Sequence, residues 1–234
     1  MINANSVSQS RTQAQVNAFV LNVFHWMTIG LAITGLVAWT VAGSETLLQI
    51  IFGNRMVFFG LIIAELGFVF YLSARIGKIS AGAATALFLL YAALNGATLA
   101  SVFLMYTRAS IVSTFFICAA TFGACSIYGM ITKRDLTSMG SFMFMGLIGI
   151  IIASLVNIFL RSSVMEMIIT YVGLIVFIGL TAYDTQKIKH MAMTQPADLD
   201  GGTIRKGAIM GALALYLDFI NMFLMLLRIL GDRD

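Results

Sequence analysis

Two aspartates lie inside stretches apolar enough for hydrocarbon: Asp184 in VGLIVFIGLTAYDTQKIK (172–189) and Asp218 in GALALYLDFINMFLMLLRIL (211–230). A carboxyl placed there costs about 2.5–3.5 kcal/mol on insertion scales, so such groups are usually retained for a task. Two carboxyls meeting in one low-dielectric site cannot both ionise easily, and they share a proton. That is the chemistry of a pH sensor. The pair could also meet a cation, but it offers fewer oxygens than the roughly six to eight that calcium takes. Such a site binds weakly and transiently.

Contact between them is not guaranteed by spacing. Counted from the same membrane face, Asp184 lies about five residues in and Asp218 about eleven, depths of about 8 and 16 Å at 1.5 Å per residue. A hydrated vestibule or a tilted helix must close that gap. Otherwise each carboxyl is satisfied separately by Arg75, Lys187 or backbone. Other polar residues share the apolar stretches. Glu65 falls midway along VFFGLIIAELGFVFYLSAR (57–75), and a mid-span carboxyl must be neutral, paired or wet. Asn95, Asn157 and Asn221 read as interhelical hydrogen-bonding groups, worth about 0.6 kcal/mol each on average. Glu65 and Asn221, one turn beyond Asp218, are also candidates for the same pathway.

The elements that carry these residues follow from composition. Of the 234 residues 60% are hydrophobic and 10% charged, against about 25% charge in soluble domains. Continuous apolar runs of about twenty residues exclude a β-barrel, whose strands alternate. The reading is an all-α polytopic membrane protein with seven transmembrane helices, at about 19–42, 56–75, 80–106, 110–131, 139–160, 165–188 and 207–230. Residues 1–18 form a polar tail without an apolar signal region, expected to be an unstructured leader, and residues 19–234 the transmembrane domain. The single proline, Pro196, falls in the longest polar loop, about Lys189 to Lys206.

Seven spans place the termini on opposite sides. Arg11, Arg75, Lys78, Lys133, Arg134, Lys187, Lys189, Arg205 and Lys206 share the N-terminal side; Arg55, Arg108, Arg161, Arg228 and Arg233 share the other. The excess of basic residues predicts a cytoplasmic N-terminus. Trp26 and Trp39, about 20 Å apart along a helix, read as interfacial anchors. His25 beside Trp26 reads as an interfacial residue, with pH sensing as the alternative. Cys118 and Cys125 share a helix face about 10 Å apart, too far for a disulfide, and read as small buried residues. The glycines, including Gly207 with Gly211 and Gly149 with Ala153, read as helix-packing devices.

Three strings carry a resemblance: ELGFVFYLSARIGKIS (65–80), GLTAYDTQKIK (179–189) and LYLDFINMFLMLLRILG (215–231). They resemble the Bax inhibitor family, also called the transmembrane Bax-inhibitor-motif family, and span count and length agree over nearly the whole chain. The resemblance implies a last helix at the centre, wrapped by the other six. It implies a pH-sensitive calcium leak whose di-aspartyl sensor falls on Asp184 and Asp218. It also implies a basic latch at the cytoplasmic end of the second span, with Arg75 the nearest match and Lys78 beside it. The bacterial cytoplasmic membrane is the expected location.

Rival classes make different demands. An intramembrane aspartyl protease also pairs a Tyr-Asp with a second aspartate, but needs Gly-x-Gly where this chain has Leu215-Tyr216-Leu217. An interaction protein regulating a membrane-bound ATP-dependent protease or a stress or cell-death pathway would use the polar tail. A proton-coupled transporter would want a broken helix, and none is signalled. No P-loop, GxGxxG or Cys/His cluster appears, so no tightly bound cofactor, nucleic-acid partner or enzymatic activity is expected. Lipid and calcium ions are the expected partners.

Overall fold

A computed structural model describes the backbone of residues 4–194 and 199–233, and side chains from residue 13 onward. Pro196 lies outside the described residues. The elements are α1 (Ala4–Ala42), α2 (Glu45–Phe52), α3 (Arg55–Arg75), α4 (Ala81–Leu99), α5 (Val102–Met105), α6 (Arg108–Ile131), α7 (Thr137–Leu160), α8 (Ser163–Thr194) and α9 (Gly201–Leu230). Among the described residues, seven helices are long and apolar enough to cross a membrane, with α4 and α5 together making one span. The chain is a multi-pass α-helical membrane protein.

Local chemistry sets the helix starts. The side chains of Ser44, Asn54, Ser80 and Thr107 accept backbone N–H groups from the first turns of α2, α3, α4 and α6, the usual N-cap interaction. The end of α7 is held differently. Arg161 adopts the left-handed region (φ 49°) while the two oxygens of Asn157, backbone and side chain, accept N–H from Arg161 and Ser162.

Three expectations of extent are corrected. First, α1 is helical from Ala4, so the polar leader is not a coil where it is described. Second, α8 runs to Thr194 and α9 begins at Gly201, which shortens the loop expected over 189–206. A helix satisfies its own backbone, so it continues past the apolar run into polar sequence. Asp200 caps α9 by accepting the backbone N–H (2.9 Å) and hydroxyl (2.6 Å) of Thr203. Third, the 80–106 run breaks after Leu99: Ser101 donates its hydroxyl to the Thr98 carbonyl, and the bonds at Phe103 and Leu104 reach back only three residues.

The chain divides into two compact units, Met1–Met105 with His190–Tyr216 and Tyr106–Lys189 with Leu217–Asp234. The last helix contributes its first half to one and its second half to the other. It is also the most buried span, with 72% of its most apolar stretch buried against 39% for α8 and 6% for α3 and α7. The last two present large apolar side chains such as Met56, Phe70 and Phe159 outward, as lipid-facing helices must.

In the first unit, α4 packs on both α1 and α3. Gly96 allows the closest approach, since a Cβ there would lie 2.6 Å from the Thr34 carbonyl oxygen of α1. The short α2 was not anticipated. Its Ile51 is buried with Val41 and Ala100, flanked by Leu47, Leu48 and Phe52, so it folds back on the ends of its neighbours.

In the second unit the helices meet through glycines: Gly140 of α7 under the Tyr183 ring, Gly179 of α8 against Met143, and Gly173 of α8 against Met225 of α9. Phe115 and Phe122 of α6 pack edge-to-face on Phe219 of α9. Not every glycine packs. A Cβ at Gly35, Gly60, Gly67, Gly123 or Gly149 would meet nothing within 4 Å, so Gly149 does not make the close helix approach expected of the Gly149–Ala153 spacing among the described residues.

Candidate functional site

Asp184 and Asp218 fall in the same unit, on α8 and α9. The Asp218 side chain is 4% exposed and its Oδ2 is buried with no hydrogen-bond partner among the described residues. Asp184 is half-buried. Its carboxyl is the charged neighbour that acts electrostatically on Asp218, and Lys187, three residues on, is the cation that acts on Asp184. Lys187 also lies over the Tyr183 ring, 5.9 Å from its centroid. Asp184 is thus the charged group whose field reaches Asp218.

The backbone around Asp184 is held from two sides. A Cβ on Gly129 of α6 would collide with the Ala182 carbonyl oxygen and stand 3.1 Å from Thr185 Cβ, and Gly140 of α7 leaves space for the Tyr183 ring. One turn below, Gln186 donates to the Arg134 carbonyl and accepts the Leu136 N–H, both at 2.8 Å, and Lys189 donates to the Met130 carbonyl at 2.6 Å. These bonds fasten α8 to the last turn of α6 and to the α6–α7 loop. Ser126 Oγ, on α6, is the other buried polar side-chain atom without a partner among the described residues. Gly129, Gly140, Gln186 and Ser126 were not legible as site residues. The one available signal was the small or polar character of each in an apolar run.

Glu65 lies in the other unit, and its surroundings differ in kind. Its Oε1 accepts the Thr98 hydroxyl at 2.9 Å and its Oε2 the Asn95 amide at 3.3 Å. Asn95 Oδ1 lies 3.0 Å from the Tyr216 hydroxyl, which meets the Thr34 hydroxyl at 2.6 Å. Thr34 in turn reaches the carbonyls of Gly30 and Ala92 at 3.0 and 2.8 Å. The chain of bonds links α1, α3, α4 and α9. Asn95 thus makes the interhelical bond expected of it. Asn157 and Asn221 do not: Asn157 accepts from its own loop, and Asn221 donates to the Leu217 carbonyl one turn back. A helix carbonyl's second lone pair or an N–H at a helix end lets a membrane asparagine be satisfied locally.

Arg75 ends α3 with its side chain exposed, and its carbonyl accepts the Lys78 and Ile79 N–H groups. Trp26 stacks against the Arg205 guanidinium, 5.2 Å from its ring centroid, while Trp39 is exposed and edge-to-face with Phe103. His25 is exposed. Cys118 and Cys125 are free thiols, Cys118 donating to the Phe219 carbonyl at 3.6 Å. No group of three or more His, Cys, Asp or Glu is arranged to hold a metal among the described residues.

Comparison with known proteins identifies the family. The family model described as inhibitor of apoptosis-promoting Bax1 matches residues 16–234. The chain is 53% identical over 230 residues to the inner membrane protein YbhL of Escherichia coli (strain K12), covering 98% of this chain and 97% of that protein. It is 49% identical over 217 residues to an uncharacterised protein of Borreliella burgdorferi, with 93% of each covered. It is 35% identical over 230 residues to an uncharacterised membrane protein of Streptococcus pyogenes serotype M1, covering 97% of this chain and 98% of the other. The chain belongs to the Bax inhibitor family, as a bacterial member.

Proposed function

We propose that this protein is a pH-sensitive cation leak of the bacterial inner membrane, with calcium as the permeant ion and Asp184 with Asp218 as the sensor. The observation that carries the reading is the Asp218 carboxyl, buried with Oδ2 unpartnered and with Asp184 as its electrostatic neighbour. A carboxyl kept for packing would be replaced by leucine without loss. One kept for a hydrogen bond would have its donor. A pair that trades a proton needs neither, but it needs access to water, which half-buried Asp184 supplies.

The mechanism has two states. Deprotonated, the pair carries negative charge that draws a cation. Protonated, it loses that attraction. Protein oxygens alone would not complete a calcium shell, so the ion keeps water and leaves readily. The N-terminus is assigned to the cytoplasm on the distribution of basic residues, and the inner membrane on the name of the Escherichia coli relative.

The test is calcium flux into liposomes across a pH series. Asp184→Asn and Asp218→Asn should each flatten the pH dependence. If both variants keep wild-type flux and wild-type pH response, the sensor does not reside here. A second reading, a membrane regulator acting through its N-terminal segment, is favoured by the helical start of α1 at Ala4. Deleting residues 1–12 and measuring flux and membrane-protease substrate turnover separately distinguishes the two.

A further inference from the structure

A polar cavity lies within the unit formed by Tyr106–Lys189 and Leu217–Asp234, at the end of the helices remote in sequence from the aspartates. Its volume is about 310 Å³, and it is lined by Ser163, Glu166, Thr170 and Tyr171 of α8, with Arg228 and Arg233 opposite. That is the small end of ligand sites, about 300–1,000 Å³. Glu166, Arg228 and Arg233 all line it, so it offers charges of both signs.

The arginine at the chain end is positioned rather than trailing. Arg233 pairs by backbone with Tyr106, and its guanidinium lies over the Tyr106 ring at 5.8 Å. Beside it, the Thr107 N–H donates to the Asp232 carbonyl at 3.1 Å, and the Asp232 N–H to the Ser110 hydroxyl at 3.0 Å. These bonds hold the segment after α9 on the start of α6. The Thr170 hydroxyl donates to the Glu166 carbonyl at 2.8 Å, which leaves its oxygen lone pairs as acceptors.

We propose that this cavity binds the phosphoethanolamine headgroup of a lipid from the surrounding leaflet. Arginine forks match a phosphate diester. Two guanidiniums exclude a divalent cation from the same space. Glu166 and the Thr170 oxygen are acceptors that a purely anionic headgroup would leave unpaired, and they suit a primary ammonium with N–H donors. A lipid is the source because an exposed apolar stripe runs along α8 from the cavity: Met167 and Tyr171, which line it, and Ile175 beyond them are 54, 50 and 61% exposed. Their spacing places them on one helix face, where acyl chains would lie.

The full chain, purified in mild detergent and offered equal amounts of phosphatidylethanolamine and phosphatidylglycerol, is read by native mass spectrometry for one retained lipid. Wild type should favour the ethanolamine lipid about tenfold, the scale of one charge-assisted hydrogen bond. Glu166→Gln should bring that ratio near unity, and Arg228→Gln with Arg233→Gln should lower retention of both lipids. Stepwise N-methylation of the ethanolamine, on unaltered protein, should lower retention progressively, and this arm stands even if a variant fails to fold. Equal retention of ethanolamine, glycerol and choline lipids by wild type overturns the proposal, as does a preference that survives Glu166→Gln. Soluble phosphoethanolamine binding as tightly as the lipid would refute the leaflet as source.

Discussion

Gly129→Ala tests the link between helix packing and the aspartate pair. The added Cβ would collide with the Ala182 carbonyl oxygen and stand 3.1 Å from both Ala182 C and Thr185 Cβ. The obstacle is backbone, so no rotamer change relieves it. Restoring ordinary contact moves α8 by about 1 Å away from α6. Overpacking of this kind costs about 1–3 kcal/mol, against a gain of about 0.5–1 kcal/mol from replacing a mid-helix glycine. The net is a loss of up to about 2.5 kcal/mol. Gly149→Ala is the matched control, because a Cβ there meets nothing within 4 Å and only the gain of about 0.5–1 kcal/mol should remain.

Residues 182 and 185 bracket Asp184, so the displacement acts on the sensor as well as on stability. Both variants are compared by denaturation in mixed micelles with sodium dodecyl sulfate, then by calcium flux against pH in liposomes. Gly129→Ala should be less stable than wild type and shift the pH midpoint of flux, while Gly149→Ala should be at least as stable with an unchanged profile. If the two variants are indistinguishable in both assays, the close approach at Ala182 does not position the site.

Tyr216→Phe removes the hydroxyl that meets Thr34 and Asn95; two interhelical bonds at about 0.6 kcal/mol each predict a loss of about 1 kcal/mol, read in the same micelle titration. Asp200 has its carboxyl held below the ordinary carboxylate range, first by the Thr203 hydroxyl and then by the Thr203 N–H. A depressed folded value means that its stabilisation is present above the unfolded pKa, about 3.9, and is lost as pH falls through the lower folded value. An NMR titration should place Asp200 below that ordinary value, and Asp200→Ala should raise amide exchange in the first turn of α9.

Much of the fold was legible because hydrocarbon leaves few options. A span must be a helix, and its length is set by the bilayer, so seven apolar runs became seven helices with ends displaced by a few residues. The displacements share a cause: helices do not stop where polarity begins. Thus α8 carries Lys187 and Lys189 inside the helix and α1 extends through polar residues to Ala4. The amphipathic α2 was lost because eight residues are too few to register as a span. At the site, the aspartates stood out by type alone, but their supports did not. Gly129 and Gly149 look alike in sequence, and only packing tells the one that touches a carbonyl from the one facing open space. Tyr216 reads as another aromatic in an apolar run until Asn95 and Thr34 are placed beside it.

The intramembrane carboxyls divide by how they are satisfied, and this decides which of them should act. Glu65 has a separate donor for each oxygen, Thr98 and Asn95, and Asn95 is itself oriented by Tyr216. That arrangement fastens helices together and leaves little lone-pair capacity for an ion. Asp218 has a buried oxygen with no donor and a second carboxyl as its electrostatic neighbour, an arrangement that stabilises nothing by itself. Glu65→Gln, which keeps the Thr98 bond and can re-pair with a flipped Asn95 amide, should therefore change unfolding by no more than about 1 kcal/mol and leave the pH response of flux intact. Asp218→Asn should do the opposite, holding or raising stability while abolishing the pH response, because it removes a titratable group whose buried Oδ2 has no donor among the described residues. Should Glu65→Gln abolish the pH response while Asp218→Asn spares it, the assignment of the two carboxyls is reversed, and hydrogen-bond satisfaction does not separate structural from functional acids in this protein.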